Sequence, residues 1–220
     1  MPEDMPIEFD HVRRSYYESR CETAVKALNK RSFDARWFST AERAVEAVLE
    51  LIPAGSKVGA GGSVTIWETG LMDMLAERGD TLVYHRPDME FEKSIGMRKE
   101  AITCPYFLCS SNAITMEGEI VNMDGMGNRV AGMIFGPATV VMLAGANKLV
   151  ADREEAITRI REVAAPANAI RLGMDLPCVK KGRCVDCREP ANICRVTTII
   201  SLKPILTDLK VFLIAEPLGL

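Results

Sequence analysis

The chain is poor in histidine: among its 220 residues only His11 and His85 carry an imidazole. Their spacing from the serines and cysteines supports no Ser–His or Cys–His catalytic pair. His11 falls on the first helix as a surface residue, whereas His85 ends a strand beside Arg86 and Asp88, where it could line a site. No apolar run approaches the ~20 residues that a membrane-spanning helix needs. No long basic run occurs and the net charge is −3, so the basic face that phosphate neutralisation requires is missing and a nucleic-acid partner is disfavoured. Neither the Walker A pattern nor the G-x-G-x-x-G fingerprint is present, and no flavin or nicotinamide signature appears. Internal repeats and low-complexity linkers are also lacking. Met1–Asp10 is acidic and proline-bearing, unlike an export signal, so a cytoplasmic location is expected. There the seven cysteines are expected to be thiols or metal ligands rather than disulfides.

What is present suffices for one domain over residues 1–220, since 48% of residues are hydrophobic and 26% charged, enough to bury a sizeable core. Helical stripes are expected over His11–Lys30, Ala41–Leu51 with Thr40 as its cap, Thr65–Arg78, Met89–Thr103 and Asp152–Val163. Strands are expected at Phe33–Phe38, Lys57–Ala60, Thr81–His85, Tyr106–Cys109 and the apolar run Thr139–Ala144. Ile114–Met116 and Glu119–Met123 flank Glu117-Gly118, a two-residue hairpin turn. Val196–Leu202 and Lys210–Ala215 read as late strands. The alternation implies an α/β fold with a mostly parallel sheet and helices on both faces, with the hairpin and last strands as an antiparallel addition.

Three segments carry the polar chemistry. Gly61-Gly62-Ser63-Val64-Thr65 lies between a strand and a helix, where glycines allow close approach and free N–H groups favour an anion; Ser63 or Thr65 could equally be a helix cap. Ser110–Arg129 concentrates Asn112, Asn122, Asp124, Asn128 and Arg129 with glycines. Glu119 and Asp124 are its candidates for base, nucleophile or hydroxyl-binding group, although some of these side chains are expected only to build turns. Asn147 and Lys148 follow the most apolar strand, at the end where ligands of α/β sheets bind, and Lys148 could hold an anion or a carbonyl oxygen.

A fourth segment, Pro177–Cys194, lacks periodicity and gathers Cys178, Cys184, Cys187 and Cys194 in a cysteine-rich loop at 177–195. Four thiols with one C-x2-C suit zinc or an iron–sulfur cluster, although the spacing matches no standard run. A metal-free loop and a redox dithiol at Cys184 and Cys187 are the other readings. Lys180, Lys181, Arg183 and Arg188 are expected to lower the thiol pKa values. Cys104 and Cys109 flank an apolar strand as core thiols, and the methionines fill core gaps.

Gly61–Thr65, the run Ser111–Ala131, Ile134-Phe135-Gly136-Pro137, Gly145-x-Asn147-Lys148 and the cysteine cluster together resemble the LUD, or lactate-utilisation, domain family in its short stand-alone form. The resemblance covers about Arg14 to Leu202. It implies the fold of the ribose-5-phosphate isomerase, glucosamine-6-phosphate deaminase and CoA-transferase group. It also implies a part in oxidation of L-lactate to pyruvate with iron–sulfur partner proteins, as a subunit or accessory factor. By analogy within that fold group, Gly61–Thr65 would hold an anion and Glu119, Asp124, Asn128 and Arg129 would contact substrate. The expected ligand is a small anionic 2-hydroxy or keto acid, and edge strands with the resemblance point to self-association. The alternatives are a stand-alone isomerase or CoA-transfer enzyme on a phosphorylated or CoA-linked substrate, and a non-catalytic metal- or redox-responsive scaffold.

Overall fold

A computed structural model of the protein describes residues 9–86 and 88–220. Most of the stretch read above as unlike an export signal therefore lies outside the described residues. In chain order the strands are β1 (Asp34–Phe38), β2 (Lys57–Ala60), β3 (Thr81–Tyr84), β4 (Tyr106–Cys109), β5 (Ala113–Thr115), β6 (Ile120–Asp124), β7 (Thr139–Gly145), β8 (Leu149–Val150), β9 (Val196–Ile200) and β10 (Asp208–Ile214). The helices are α1 (Phe9–Lys30), α2 (Ala41–Leu51), α3 (Val64–Glu68), α4 (Leu71–Glu77), α5 (Phe91–Ala101), α6 (Asn128–Phe135), α7 (Arg153–Arg159), α8 (Ala165–Arg171) and α9 (Pro177–Lys181).

Six of the described strands form one parallel sheet in the order β1-β10-β7-β4-β2-β3. Strand alternation sends neighbouring side chains to opposite faces, and the central strands are apolar on both. Val140, Met142 and Ala144 of β7 pack toward α1, α5 and α6. Val141 and Leu143 pack toward α2, α3 and α4. Burying each such side chain stabilises by about 1.5–3 kcal/mol, so the helical layers are held on by the sheet. The expected α/β fold with covered faces is what forms.

The antiparallel addition is real but divides differently. β5 and β6 pair as the hairpin, β9 joins β6 antiparallel and β8 joins β5 parallel, making a separate four-stranded sheet. It packs on α7 through Ala113, Val121, Val150, Ala156 and Ile160. β10 instead inserts into the parallel sheet between β1 and β7, because its alternate residues are apolar on both sides.

Two expected helices are interrupted. Thr65–Arg78 breaks at Gly70, which takes φ +69 and so ends α3 and starts α4 in a new direction. Asp152–Val163 begins as expected, with Asp152 Oδ1 accepting from Glu155 N at 2.9 Å. It then widens into a π turn at Ile160–Ala164 and continues as α8. Pro166 supplies the reason: it has no N–H for the Glu162 carbonyl, and its ring forces the preceding turn open. Among the described residues no helix is long and apolar enough to cross a membrane.

Candidate functional site

The chain leaves β2 toward the β3 edge and leaves β4 toward the β1 edge. Connections that diverge in this way open a crevice beyond the carboxyl ends of the strands. Gly61–Ser63 follows β2, His85 follows β3, Ser110 follows β4 and Lys148 follows β7. These four strand ends meet round one cavity of about 240 Å³, a volume suited to a ligand of few heavy atoms.

Lys148 lies at its floor and is only 3% exposed. Its Nζ donates to Thr65 Oγ1 at 2.7 Å and to Ser110 Oγ at 3.0 Å. Burial, with the Arg159 and Arg129 cations nearby and only partial relief from Glu68, pushes the amine down to about 7. Ser63 is spent as the cap of α3, accepting from Ile66 N at 3.4 Å, so the cap reading of this hydroxyl holds. Thr65 serves Lys148 rather than the cavity surface.

One wall is built by Arg129, held in place on every side. Its Nε donates to Asp124 Oδ1 at 2.9 Å, its Nη1 to Ser110 O at 3.2 Å and its Nη2 to Asn112 Oδ1 at 2.7 Å. Asp124 Oδ2 also accepts from Val130 N at 3.3 Å and so caps α6. Asn112 Oδ1 accepts from Met123 N, while Asn122, fully buried, accepts from Asn112 N at 3.1 Å. Asn112 and Asn122 thus tie the hairpin to the pocket wall, and Asn128 lines the cavity at the start of α6.

The cavity lining also includes His85, Arg98 and Arg171, of which sequence reasoning found only His85. Burial, then the Arg98 and Arg171 cations, push His85 down to about 4, so the ring is neutral. Its Nδ1 is buried without a hydrogen-bond partner. Among the described residues Arg98 bonds Ser94, and Arg171 bonds Asn168 and lies over the Trp67 ring at 5.2 Å; neither is paired with a carboxylate. These arginines come from helices far along the chain, and no local pattern marks them. Ser110, at the end of an apolar strand, was findable by the strand-end rule.

Four expected site residues, Thr65, Glu119, Asn122 and Asn147, are not part of the cavity lining. Glu119 is 2% exposed and bonded by Arg153 Nη2 at 2.6 Å, with Arg31 at 3.5 Å. The Arg153 guanidinium holds its carboxyl below the usual range. Glu119 is therefore engaged between the hairpin, α1 and α7, outside the pocket lining. Asn147 is used on the chain itself: its Oδ1 accepts from Leu218 N at 3.1 Å and its Nδ2 donates to Gly219 O at 3.4 Å. This fastens the backbone at Gly219, with φ +68, over Lys148; a Cβ there would meet Thr65 Oγ1 and lie 3.0 Å from Lys148 Nζ.

Cys178, Cys184, Cys187 and Cys194 line a second cavity of about 470 Å³, together with Arg161, Arg188 and Arg195. The four thiols therefore converge across the loop. Among the described residues no three His, Cys, Asp or Glu side chains close round a single ion. Cys194 keeps part of its surface in solvent, yet partial burial and then Cys184, Cys178 and Cys187 raise its thiol to about 11, against Arg161. The expected lowering by basic residues is thus reversed at Cys194, where burial and then the neighbouring thiols outweigh the cation; Lys180 pairs with Asp175 instead. Cys104 and Cys109 are buried core thiols, and burial raises Cys109 to about 12.

The LUD domain model matches residues 21–214. Among solved structures, a DUF162 family protein from Deinococcus radiodurans aligns with a TM-score of 0.50 at 12% identity, over 91% of this chain and 98% of that one. At that identity the likeness shows the fold alone. No curated protein matches the sequence. With the family model spanning both the parallel sheet and the residues round Lys148, the chain belongs to the LUD domain family, which is associated in general with lactate utilisation.

Proposed function

We propose that the protein binds a short 2-hydroxy or 2-oxo acid in the cationic pocket and serves oxidation of L-lactate to pyruvate, as a subunit or accessory factor working with iron–sulfur partner proteins. One observation carries the reading: the cationic pocket and the thiol cavity share Met123, Ala165, Ile193 and Cys194 as a common wall. A cationic pocket beside a cavity lined by four thiols supports the reading of an acid bound near a redox-capable donor set.

Cys178, Cys184, Cys187 and Cys194 border one cavity, and four thiolates suit either an iron–sulfur cluster or a zinc ion; the family's redox role favours the cluster. Cys178, Cys184, Cys187 and Cys194 would hold an iron–sulfur cluster, which would supply one-electron transfer toward a partner. The chain's own groups do the rest. Arg98 and Arg171, without acidic partners among the described residues, match a carboxylate in charge. Neutral His85 also lines the cavity and has a ring-nitrogen lone pair to accept a hydrogen bond from a ligand hydroxyl. Arg129 is fixed by Asp124, so Asp124 acts by positioning. The isomerase or CoA-transfer alternative needs an unencumbered carboxylate in the pocket; Asp124 is paired and Glu119 is bonded elsewhere, so it has less support.

The test is iron and acid-labile sulfide content with an absorption spectrum on protein purified without oxygen, alongside calorimetric titration with L-lactate and with pyruvate. Iron and sulfide lost in Cys184→Ser, with acid binding lost in the Arg98→Gln, Arg171→Gln double variant, supports the reading. Zinc or no metal overturns the redox role, and absence of acid binding overturns the pocket assignment.

A further inference from the structure

Lys148 is an amine buried at the pocket floor beside the Ser110 hydroxyl, and electron transfer gives it no task. Its Nζ has two hydroxyl partners, Thr65 and Ser110, and no carboxylate partner among the described residues. A neutral amine has two N–H groups and one lone pair. The two hydroxyls satisfy those N–H groups and leave the lone pair for a ligand. An ammonium would place a third N–H in a buried position that offers it no acceptor. With the amine held at about 7, a large share is unprotonated and nucleophilic near neutral pH. Arg98 and Arg171 line the same cavity and bring cationic groups to which a ligand carboxylate can bind.

We propose that Lys148 captures 2-oxo acids covalently, as an imine between Nζ and the C2 carbonyl carbon. Nζ forms the new C–N bond with its lone pair as the carbonyl π pair moves to oxygen. That oxygen then leaves as water with the two amine protons, and a neutral C=N bond remains. No oxidant or reductant is consumed. A 2-hydroxy acid has no electrophilic carbon at C2 and binds without this bond, so the step separates the oxidised acid from the reduced one. The inference rests on the cationic pocket being an acid site and adds the class of acid that it retains.

The experiment incubates the full chain with pyruvate and sodium cyanoborohydride, then maps modified peptides by mass spectrometry. The expected result is an N-(1-carboxyethyl) group on Lys148, absent when L-lactate replaces pyruvate, with exposed Lys93 and Lys99 left unmodified. Lys148→Met should lose the modification; the wild-type peptide map locates the adduct whether or not that variant folds. Pyruvate binding by calorimetry without trapping overturns covalent capture and leaves the pocket reading standing. Modification spread evenly over lysines also overturns it. Absence of pyruvate binding overturns both.

Discussion

The two cavities share a wall, but they are built in opposite ways. The cationic pocket stands on the ends of β2, β3, β4 and β7, where the strands are buried on both faces and the polar groups are bonded to one another. The thiol cavity is walled largely by the segment after α8. From Pro177 to Ile199 no residue is buried, and α9 contributes nothing to a core. A pocket of the first kind is preorganised: its geometry is a by-product of sheet packing. A cavity of the second kind has little apolar burial to hold it, so its order depends on what its side chains bind. In proteins of that sort, binding free energy is ordering free energy.

The largest expected effect tests how rigid the first region is. Asp124→Asn leaves a partly buried Arg129 without its counter-charge and weakens the α6 cap. It should destabilise the fold by about 3–5 kcal/mol, read as a shift of the denaturant midpoint at unchanged slope. A negligible shift would mean that the pocket wall is not held by this network.

Lys148 gives the same region a pH signature. The amine is held at about 7 against 10.5 in an ordinary setting, so between these values the unfolded chain binds a proton that the folded chain does not. Stability from this group therefore rises with pH across that window, by up to about 1.4 kcal/mol per unit, and the cost of the buried cation is full below about pH 7. Lys148→Met should gain most over wild type at pH 6 and lose that advantage toward pH 10. A constant difference would refute the depressed amine. Arg159, Arg129 and Glu68 are the charged groups that act on it.

The second region should respond to its ligand instead. Anaerobic reconstitution with iron and sulfide should slow amide exchange across residues 177–199 on the order of 100-fold, equivalent to about 2.7 kcal/mol, and leave β4 and β7 unchanged. Because the Cys194 thiol is raised to about 11, loading must release its proton and should strengthen with pH. Equal exchange before and after loading would dissolve the contrast between the two regions. The smallest effect concerns a residue outside both. Glu119→Gln should cost about 1–2 kcal/mol through the loss of its charged bonds to Arg153 and Arg31, with pyruvate affinity unchanged. Loss of affinity would bring Glu119 back into the site.

What could be read from sequence followed the range of the forces involved. α2 with its Thr40 cap, β2 and β4 were legible to the residue, because capping and apolar runs are local. Lys148 was legible through the strand-end rule. Arg98 and Arg171 were not, since their helices carry no pattern that distinguishes a pocket-facing arginine from a solvated one. α6 is not among the expected helices, because Gly127 and Asn128 mimic a loop until Asp124 supplies the missing cap. Glu119 lies outside the cavity lining, because its carboxylate is bonded across the fold to Arg153 and Arg31, and sequence spacing does not reveal such long-range bonds.

The π turn at Ile160–Ala164 gives the helix one residue more than a regular α-helix would hold over the same rise. Ile160 and Ala164 touch the acid pocket, Arg161 touches the thiol cavity, and Arg171 lies beyond them on α8. Deleting a single residue there would restore a regular helix and turn everything after it by about 100°. Arg171 would swing off Trp67 and out of the pocket, and the chain leading to the cysteines would start from a new phase. The alignment of the two cavities is thus a matter of helical phase, kept by one surplus residue.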